Sequence, residues 1–365
     1  MDRPSPLRDH YEAIDAMMIP YGDRTTIVGQ CDVAELEYAT IRKAVGLMDG
    51  SHRGLLRLTG KQRLDFLHRL VTNDCKSMKP GQVRRAMILD AKGRITADLL
   101  IVHDGAQTLI DTDIHQAAAV AQELERLLFG EDVRIEELSE SYHRVSLHGP
   151  AAAKVLQWWL DSPELSKESW TFRYDEVGEP AVHIWARRDP LRRFAEQAEA
   201  LGERFGLRFI GWMSWNIARV EAGRAMFHVD FGPNNLPHEA GEQVVSEAVS
   251  FTKGCYRGQE IVARMHSRGH PARRLVGFRG RGDALPVAGV DVRASDAPDA
   301  AVVGAVTSST LSPMLGAVPI GLAMIKWGFH EPGTTLYLPA EGRNVPVQVQ
   351  ATPFYARAGA EQPRE

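Results

Sequence analysis

The stretch RGLLRLTGKQRLDFLHRLVTND, residues 53–74, combines the two hydrophobic patterns that decide the fold. Residues 53–60 form a short apolar run of the kind found in strands, whereas Leu64, Leu67 and Val71 recur at helical spacing. The stretch therefore predicts a strand followed by an amphipathic helix. Such alternation is typical of layered α+β domains.

The same alternation continues to residue 138. Residues 83–90 predict a second strand, and residues 93–105 with 107–113 predict a hairpin. A helix capped by Asp113 and ended by Gly130 follows, and then a last strand. The order β-α-β-β-β-α-β is close to a split βαβ, ferredoxin-like layer.

A second alternation of strands and helices runs from residue 142 to 223. It includes a single helix over residues 189–206 with Asp189 as its expected cap, and a short helix that Gly223 ends. After Pro271 the chain changes to short β-type runs separated by Gly, Pro and Asp, which predict a small C-terminal barrel or sandwich.

Composition and cysteine content limit the function classes. A formal charge of -4 argues against a surface built throughout for nucleic acid. There is no signal-peptide pattern, and the longest apolar stretch, residues 315–325, is far shorter than the roughly 20 residues that cross a bilayer. Cys31, Cys75 and Cys255 form no CxxC pair, so neither a disulfide framework nor a structural zinc site is supported. We expect a cytoplasmic protein without a membrane contact or a bound metal.

The stretch KGCYRGQEIVAR, residues 253–264, places a cysteine in a glycine turn ahead of a predicted helix. Lys253, Arg257 and the helix N-terminus would all stabilise a Cys255 thiolate, which is the environment of a reactive cysteine. The alternative is a small residue packed in the turn, since free cysteines are often buried. Spacing alone favours the packed residue.

The basic segment from residue 253 to 274 carries six Lys or Arg and one Glu. A solvated helix face is the simplest interpretation. The segment would also suit an anionic cofactor tail, such as a polyglutamate, or RNA.

Two carboxylates stand where a charge is unfavourable. Glu221 lies on the last turn of its predicted helix, against the helix dipole, so it needs Arg219 or Arg224 as a partner or has a task of its own. That task would be to accept hydrogen bonds from a heterocycle such as a pterin. Asp98 falls inside an apolar strand, where it either faces a cleft or lies on a solvated outer face.

These stretches together resemble a known family. KGCYRGQE, residues 253–260, is similar to the signature of the YgfZ family of folate-binding proteins, which is linked to iron-sulfur cluster maturation. RVEAG (219–223), TSSTLSPMLG (307–316) and the N-terminal AVGLMDGSHRGLLRLTG (44–60) resemble the wider family that includes the aminomethyltransferase of the glycine cleavage system. The resemblance covers nearly the whole chain.

The resemblance implies an α+β fold, a three-domain ring of the aminomethyltransferase type around a folate cavity. The implied domains are a discontinuous folate-binding α+β domain (1–52 plus 139–270), a ferredoxin-like domain (53–138), a C-terminal β-barrel (271–357) and a flexible tail (358–365).

The resemblance also implies tetrahydrofolate, or a one-carbon derivative of it, as cofactor. The pterin would bind Glu221, and Cys255 would lie near the cavity. The predicted cofactor-binding residues are Glu221, Arg219, Lys253, Tyr256 and Arg257. The predicted catalytic residues are Cys255 and Asp98.

Two departures separate the chain from the aminomethyltransferases. Ala97 replaces the first Asp of their Asp-Asp pair, and residues 183–190 lack their Gly-Tyr-Thr-Gly-Glu segment. Loss of a positioned acid or base typically costs a factor of about 10²–10⁴ in rate, which argues against glycine-cleavage chemistry.

Three hypotheses follow. The first is a folate-binding accessory protein in iron-sulfur cluster maturation or repair, with Cys255 as the functional thiol and cluster-assembly or client proteins as partners. Three lone cysteines cannot hold a four-cysteine cluster, so any cluster would be transient or shared with a partner. The alternative is a folate-dependent aminomethyltransferase, methyltransferase or demethylase that acts on a small amine. A third hypothesis is an RNA-modification accessory that uses the basic residues 264–274.

Overall fold

The computed structural model describes residues 3–23 and 25–357. Contacts divide the chain into a first unit, Met1–Ala86 with Ala97–Asn216, and a second unit, Met87–Thr96 with Ile217–Glu365. The tail expected at residues 358–365 lies outside the described residues, and the division into three domains stays a prediction.

The first unit contains most of the helices and two five-stranded sheets. Its elements, including three that continue into the second unit, are α1 (Arg8–Ala13), β1 (Met17–Tyr21), β2 (Thr25–Gln30), α2 (Ala34–Lys43), β3 (Val45–Asp49), β4 (Arg53–Thr59), α3 (Arg63–Leu70), β5 (Val83–Leu89), β6 (Ile95–His103), β7 (Thr108–Asp113), α4 (Ala117–Arg126), β8 (Arg134–Glu137), β9 (His143–His148), α5 (Ala152–Leu160), α6 (Pro163–Ser166), β10 (Trp170–Arg173), β11 (Ala181–Ala186), α7 (Arg188–Glu196), α8 (Ala198–Phe205), β12 (Leu207–Ile210) and α9 (Trp212–Glu221). The unit boundaries fall within β5, β6 and α9.

One sheet has the strand order β5-β6-β7-β4-β8. Strand β4 pairs antiparallel with β7 on one side and β8 on the other, and β6 pairs antiparallel with β7. The predicted order β-α-β-β-β-α-β is confirmed, and the central place of β4 agrees with a split βαβ arrangement.

Two details of the predicted helices are wrong. Helix α4 begins at Ala117 rather than after Asp113, because Asp113 ends β7 and its carboxylate accepts hydrogen bonds from the Tyr21 hydroxyl and the His115 backbone N–H. The single helix expected over residues 189–206 is two helices, α7 and α8, of which α7 already begins at Arg188.

The other sheet has the order β10-β11-β9-β3-β12, and β12 runs parallel to β3. Successive residues alternate between its two faces. One face contributes apolar residues to a core that includes Val145, Leu147 and Ile184. The opposite face of β9 and β11 carries polar and charged residues that are also buried, among them Arg144 and His183.

The second unit contains the predicted barrel. Its elements are α10 (Glu242–Ala248), α11 (Gln259–Arg268), β13 (Arg273–Gly280), β14 (Asp291–Arg293), β15 (Val302–Ser312), β16 (Val318–Lys326), β17 (Thr335–Ala340) and β18 (Arg343–Gln350). Strands β13-β16-β15-β14-β17-β18 close into a barrel. Strand β14 spans three residues, too few for a recognisable alternation. In the part of the chain that the structure describes, no helix has the length and apolar character required to cross a membrane.

Candidate functional site

The carboxylate of Glu221 lies at the end of α9 and is fully buried. Its Oε1 accepts hydrogen bonds from the Ser312 hydroxyl and the Met314 backbone N–H, the latter at 3.4 Å. Its backbone carbonyl accepts from the N–H groups of Phe354 and Tyr355, at 2.9 and 3.0 Å. These donors compensate for placing a negative charge at a helix C-terminus.

The direction of the Ser312 hydroxyl is fixed by its second contact. Ser312 caps the 3₁₀ turn Pro313–Leu315, and its oxygen accepts a hydrogen bond from the Leu315 N–H at 3.2 Å. Since that N–H can only donate, the hydroxyl proton is left for Glu221. The carboxylate is therefore held in one orientation by strand β15 and the turn after it.

Arg219 is buried beside the same strand. Its guanidinium forms a salt bridge with Asp230 at 2.6 Å, donates to the Ser308 hydroxyl at 2.8 Å and donates to the Arg224 carbonyl at 2.9 Å. Arg224 in turn forms a salt bridge with Glu247. Arg219 therefore interacts with protein groups inside the second unit, and its predicted contact with a cofactor remains a prediction.

Cys255 lies on the turn that precedes α11, and its side chain is exposed. The alternative of a packed small residue is therefore wrong. Gly258 begins α11 with a φ of 80°, and a Cβ there would lie 2.7 Å from the Asp90 carbonyl oxygen. Gly93 in the facing turn has a φ of 76°, and its Cβ would lie 2.9 Å from the Ile261 Cβ. Only glycine combines a left-handed φ with such close approaches, so Gly258 and Gly93 hold the cysteine turn against the turn Asp90–Gly93.

The other predicted residues of this turn have different surroundings. Tyr256 is buried in an apolar cluster with Met87 and Val262, and burial raises the pKa of its phenol to about 12. The Lys253 ammonium lies 4.7 Å from the centre of the Tyr256 ring, within cation–π range. Arg257 is exposed.

Asp98 belongs to the first unit. Arg85 binds both of its oxygens, with Nε at 3.0 Å from Oδ1 and Nη2 at 2.6 Å from Oδ2. The side chains of Arg85 and Asp98 are only 9% and 14% exposed, so the alternative of a solvated outer face is wrong. Instead the strand holds a shielded, bidentate ion pair.

The basic segment behaves in part as a solvated helix face. Arg264 pairs with Glu260 one turn away on α11, and both side chains are largely exposed. Arg274 of β13 pairs with Glu242 at 2.5 Å. A polyglutamate or RNA contact at this segment stays a prediction.

Three residues that contact Glu221 or Arg219 were missed by sequence reasoning: Asp230, Ser308 and Ser312. Both serines lie in the TSSTLSPMLG stretch, which was used only for its resemblance. Ser308 and Ser312 are four residues apart, a spacing that puts both side chains on one face of a strand, and this was the available signal. Asp230 lies in an irregular loop with no local pattern. Among residues 3–23 and 25–357 no group of three or more His, Cys, Asp or Glu side chains is arranged to hold a metal ion.

Comparison with known proteins identifies the fold. Residues 28–177 match the GCVT N-terminal domain, and residues 273–356 match the glycine cleavage T-protein C-terminal barrel domain. The chain superposes on the glycine cleavage system aminomethyltransferase T from Bartonella henselae with a TM-score of 0.82 and 22% identity, over 96% of this chain and 97% of that one. The predicted α+β fold of the aminomethyltransferase type, with a C-terminal barrel, is confirmed.

Curated relatives extend the similarity over full length. An aminomethyltransferase of Geobacillus sp. (strain WCH70) is 29% identical over 97% of this chain and 99% of its own length. The aminomethyltransferase of Bacillus subtilis (strain 168) is 26% identical, again over 97% of this chain and 99% of its own length. Together, the two matched domains and the full-length similarity mean that the chain belongs to the GcvT-like aminomethyltransferase family.

Proposed function

We propose that this protein binds tetrahydrofolate and transfers a one-carbon unit, an aminomethyl or methyl group, between a small amine and the cofactor. The observation that carries the proposal is the buried carboxylate of Glu221, held in one orientation by Ser312 and Met314. Full-length similarity to proteins named aminomethyltransferase supports the same reaction class.

The chemistry of Glu221 fits a pterin. An ionised carboxylate only accepts hydrogen bonds and has about four acceptor positions on its two oxygens. A pterin offers adjacent N–H donors, and two parallel bonds to one carboxylate fix both its position and its orientation. Lys253 and Arg257 would bind the anionic end of the cofactor. When bound, tetrahydrofolate supplies the nitrogen that accepts the one-carbon unit.

Asp98 is the proposed acid–base residue. Arg85 occupies both of its oxygens and so fixes the carboxylate plane. Ala97 precedes it, in place of the first Asp of the Asp-Asp pair of the aminomethyltransferases. We therefore expect a small amine other than the glycine-derived substrate as the one-carbon donor.

The test is a calorimetric titration with tetrahydrofolate of wild type, Glu221→Gln and the matched control Glu260→Gln, an exposed carboxylate on α11. A hydrogen bond to a charged group contributes about 1.5–3 kcal/mol, so Glu221→Gln should weaken binding by about 10- to 100-fold. The control should bind as wild type does. Equal affinity of all three proteins would remove the pterin role of Glu221.

Turnover tests the reaction itself. Candidate amines are incubated with the protein and tetrahydrofolate. Donors of a methyl group should give methyl-tetrahydrofolate and the demethylated amine, whereas donors of an aminomethyl group should give methylene-tetrahydrofolate and the released amine. We expect Asp98→Asn to lower the rate by about 10²–10⁴-fold while tetrahydrofolate affinity is retained. Unchanged turnover in Asp98→Asn would exclude it as the acid–base residue.

A second candidate function rests on the exposure of Cys255. An accessible thiol beside a folate site would suit an accessory role in iron-sulfur cluster maturation, with a transient cluster shared with an assembly or client protein. Complementation of a strain that lacks its own YgfZ-type protein separates the two functions. Rescue of iron-sulfur enzymes by wild type but not by Cys255→Ala supports the accessory role, and no rescue by wild type argues against it.

A further inference from the structure

We propose that Arg219, Asp230 and Ser308 are positioning residues that hold the Glu221 carboxylate for the cofactor. They are called here the β15 anchor. This inference rests on the proposed function, because it assigns these three residues a role in folate binding. It replaces the predicted direct contact between Arg219 and the cofactor.

The β15 anchor is a closed set of buried hydrogen bonds. Arg219 reaches Asp230 at 2.6 Å and Ser308 at 2.8 Å, and the Ser308 hydroxyl donates to Asp230 at 2.6 Å. The Arg219 and Asp230 side chains are 2% and 0% exposed. Thr307 and the Met226 N–H also donate to Asp230, at 2.8 and 2.9 Å. A buried ion pair satisfied in this way has one defined geometry.

Strand β15 connects the anchor to Glu221. Ser308 and Ser312 are four residues apart, so their side chains lie on the same face of the strand, and both are buried. Ser308 binds Arg219, and Ser312 binds Glu221. A register shift between Val306 and Ser308 lets Thr307 contact Asp230 as well. One strand face therefore holds the last turn of α9 at two points.

The backbone transmits the position of Arg219 to Glu221. Arg219 donates from its side chain to the Arg224 carbonyl, and the Arg224 N–H donates back to the Arg219 carbonyl at 3.0 Å. These bonds close the helix end around Glu221, and Gly223 provides the left-handed turn with a φ of 65°. Loosening the anchor would free the turn that carries the carboxylate, and a displacement of about 1 Å is enough to weaken a positioned contact.

A buried ion pair often adds little net stability, so stability alone is a weak explanation for the pair formed by Arg219 and Asp230. The position of this pair next to the Glu221 carboxylate suits a role in orienting that carboxylate. A structural role and a positioning role differ in one respect. Only a positioning role makes the effect of the β15 anchor on folate affinity depend on Glu221.

The experiment is a double-mutant cycle measured by tetrahydrofolate titration. The proteins are wild type, Ser308→Ala, Glu221→Gln and the double variant, with Ser309→Ala as the matched control on the opposite side of β15. Loss of one hydrogen bond is worth about 0.5–1.5 kcal/mol, so Ser308→Ala should weaken binding about 2- to 10-fold. In the Glu221→Gln background the same change should weaken binding no further, and Ser309→Ala should have no effect.

Asp230→Asn is the stronger second perturbation and should weaken binding more than Ser308→Ala does. If it fails to fold, Ser308→Ala alone decides the cycle, with its thermal midpoint recorded as a check on folding. Equal affinity of Ser308→Ala and wild type, or additive losses in the double variant, would overturn the positioning role while the proposed function stands. Absence of tetrahydrofolate binding to wild type would overturn both.

Discussion

Acidification from about pH 7.5 to 5.5 should destabilise the first unit, because two of its histidines are buried without charge. His148 of β9 and His183 of β11 are both 0% exposed. Their Nε2 atoms lie 2.9 Å from the Ser146 hydroxyl and 2.8 Å from the Tyr174 carbonyl. Burial, with repulsion from Arg144, lowers the pKa of His183 to about 4. Burial, with Arg144 and His183 nearby, lowers the pKa of His148 to about 3 although Glu176 opposes the shift.

The sign of the effect follows from proton binding. In the unfolded chain both histidines take up a proton near their ordinary pKa of about 6.5, whereas the folded unit keeps them neutral until well below pH 5. Stability is therefore complete above about pH 6.5 and is lost as the pH falls towards the folded pKa values. Each histidine contributes a slope of roughly 1 kcal/mol per pH unit, so the pair should cost about 2 kcal/mol between pH 6.5 and 5.5.

Urea unfolding followed by tryptophan fluorescence measures this slope, since Trp159 and Trp185 are buried in the first unit. Unfolding midpoints are compared at about pH 7.5, 6.5 and 5.5. His183→Asn should reduce the slope by about 1 kcal/mol per pH unit whatever its absolute stability, and His266→Asn, on the exposed face of α11, should leave it unchanged. An unfolding free energy that is flat between pH 6.5 and 5.5 would refute the reasoning.

Three further outcomes are expected. Gly258→Ala should destabilise the protein by about 1–3 kcal/mol more than Gly289→Ala, because both glycines have a left-handed φ but only Gly258 faces a backbone oxygen. Equal shifts of the thermal midpoint in the two variants would contradict this. A thiol reagent should modify one cysteine per native chain in a fast phase, because Cys75 is buried and burial raises the pKa of Cys31. Cys255→Ser should remove the fast phase, and a fast phase that survives in this variant would argue against Cys255 as the reactive thiol. Arg85→Ala should lower the free energy of urea unfolding by about 3 kcal/mol, because it leaves the shielded Asp98 carboxylate without its ion partner. The double change Arg85→Leu/Asp98→Leu should restore most of this stability, and failure to do so would mean that packing rather than charge causes the loss.

Local patterns were sufficient for most elements of the fold between residues 53 and 138. Alternation and helical spacing predicted the strands and helices from residue 53 to 138, and Gly223 as the end of α9, because these depend on residues within one or two turns. Cap positions failed where a side chain was engaged elsewhere, as Asp113 is by Tyr21. Asp113 has the residue type of a helix cap, and only the distant tyrosine shows that its carboxylate is used by the strand end.

The surroundings of the candidate site depend on contacts that no local pattern reports. Cys255 was favoured as a packed residue by its spacing, yet the structure exposes it, because the turn packs against Asp90–Gly93 through Gly258 and leaves the cysteine outside. A solvated outer face was one of the two alternatives for Asp98, yet Arg85 from the neighbouring strand shields its carboxylate. In both cases the deciding group lies on another element, at a sequence distance where hydrophobic periodicity carries no information.

The segment RVEAG illustrates how residues that resemble a family motif divide by their physical role. Arg219 and Glu221 are two residues apart and both are buried. The resemblance implied that both bind the cofactor. Arg219 has its donors directed at Asp230, Ser308 and a backbone carbonyl, all supplied by the protein. A guanidinium engaged in this way contributes position rather than contact, whereas an ionised carboxylate only accepts hydrogen bonds, as the N–H donors of a pterin require. The cations suited to direct contact with an anionic cofactor are instead those on the cysteine turn, where Arg257 is exposed. In the proposed site, the RVEAG segment combines one residue for binding with one for its support, and the double-mutant cycle on β15 measures how far the first depends on the second.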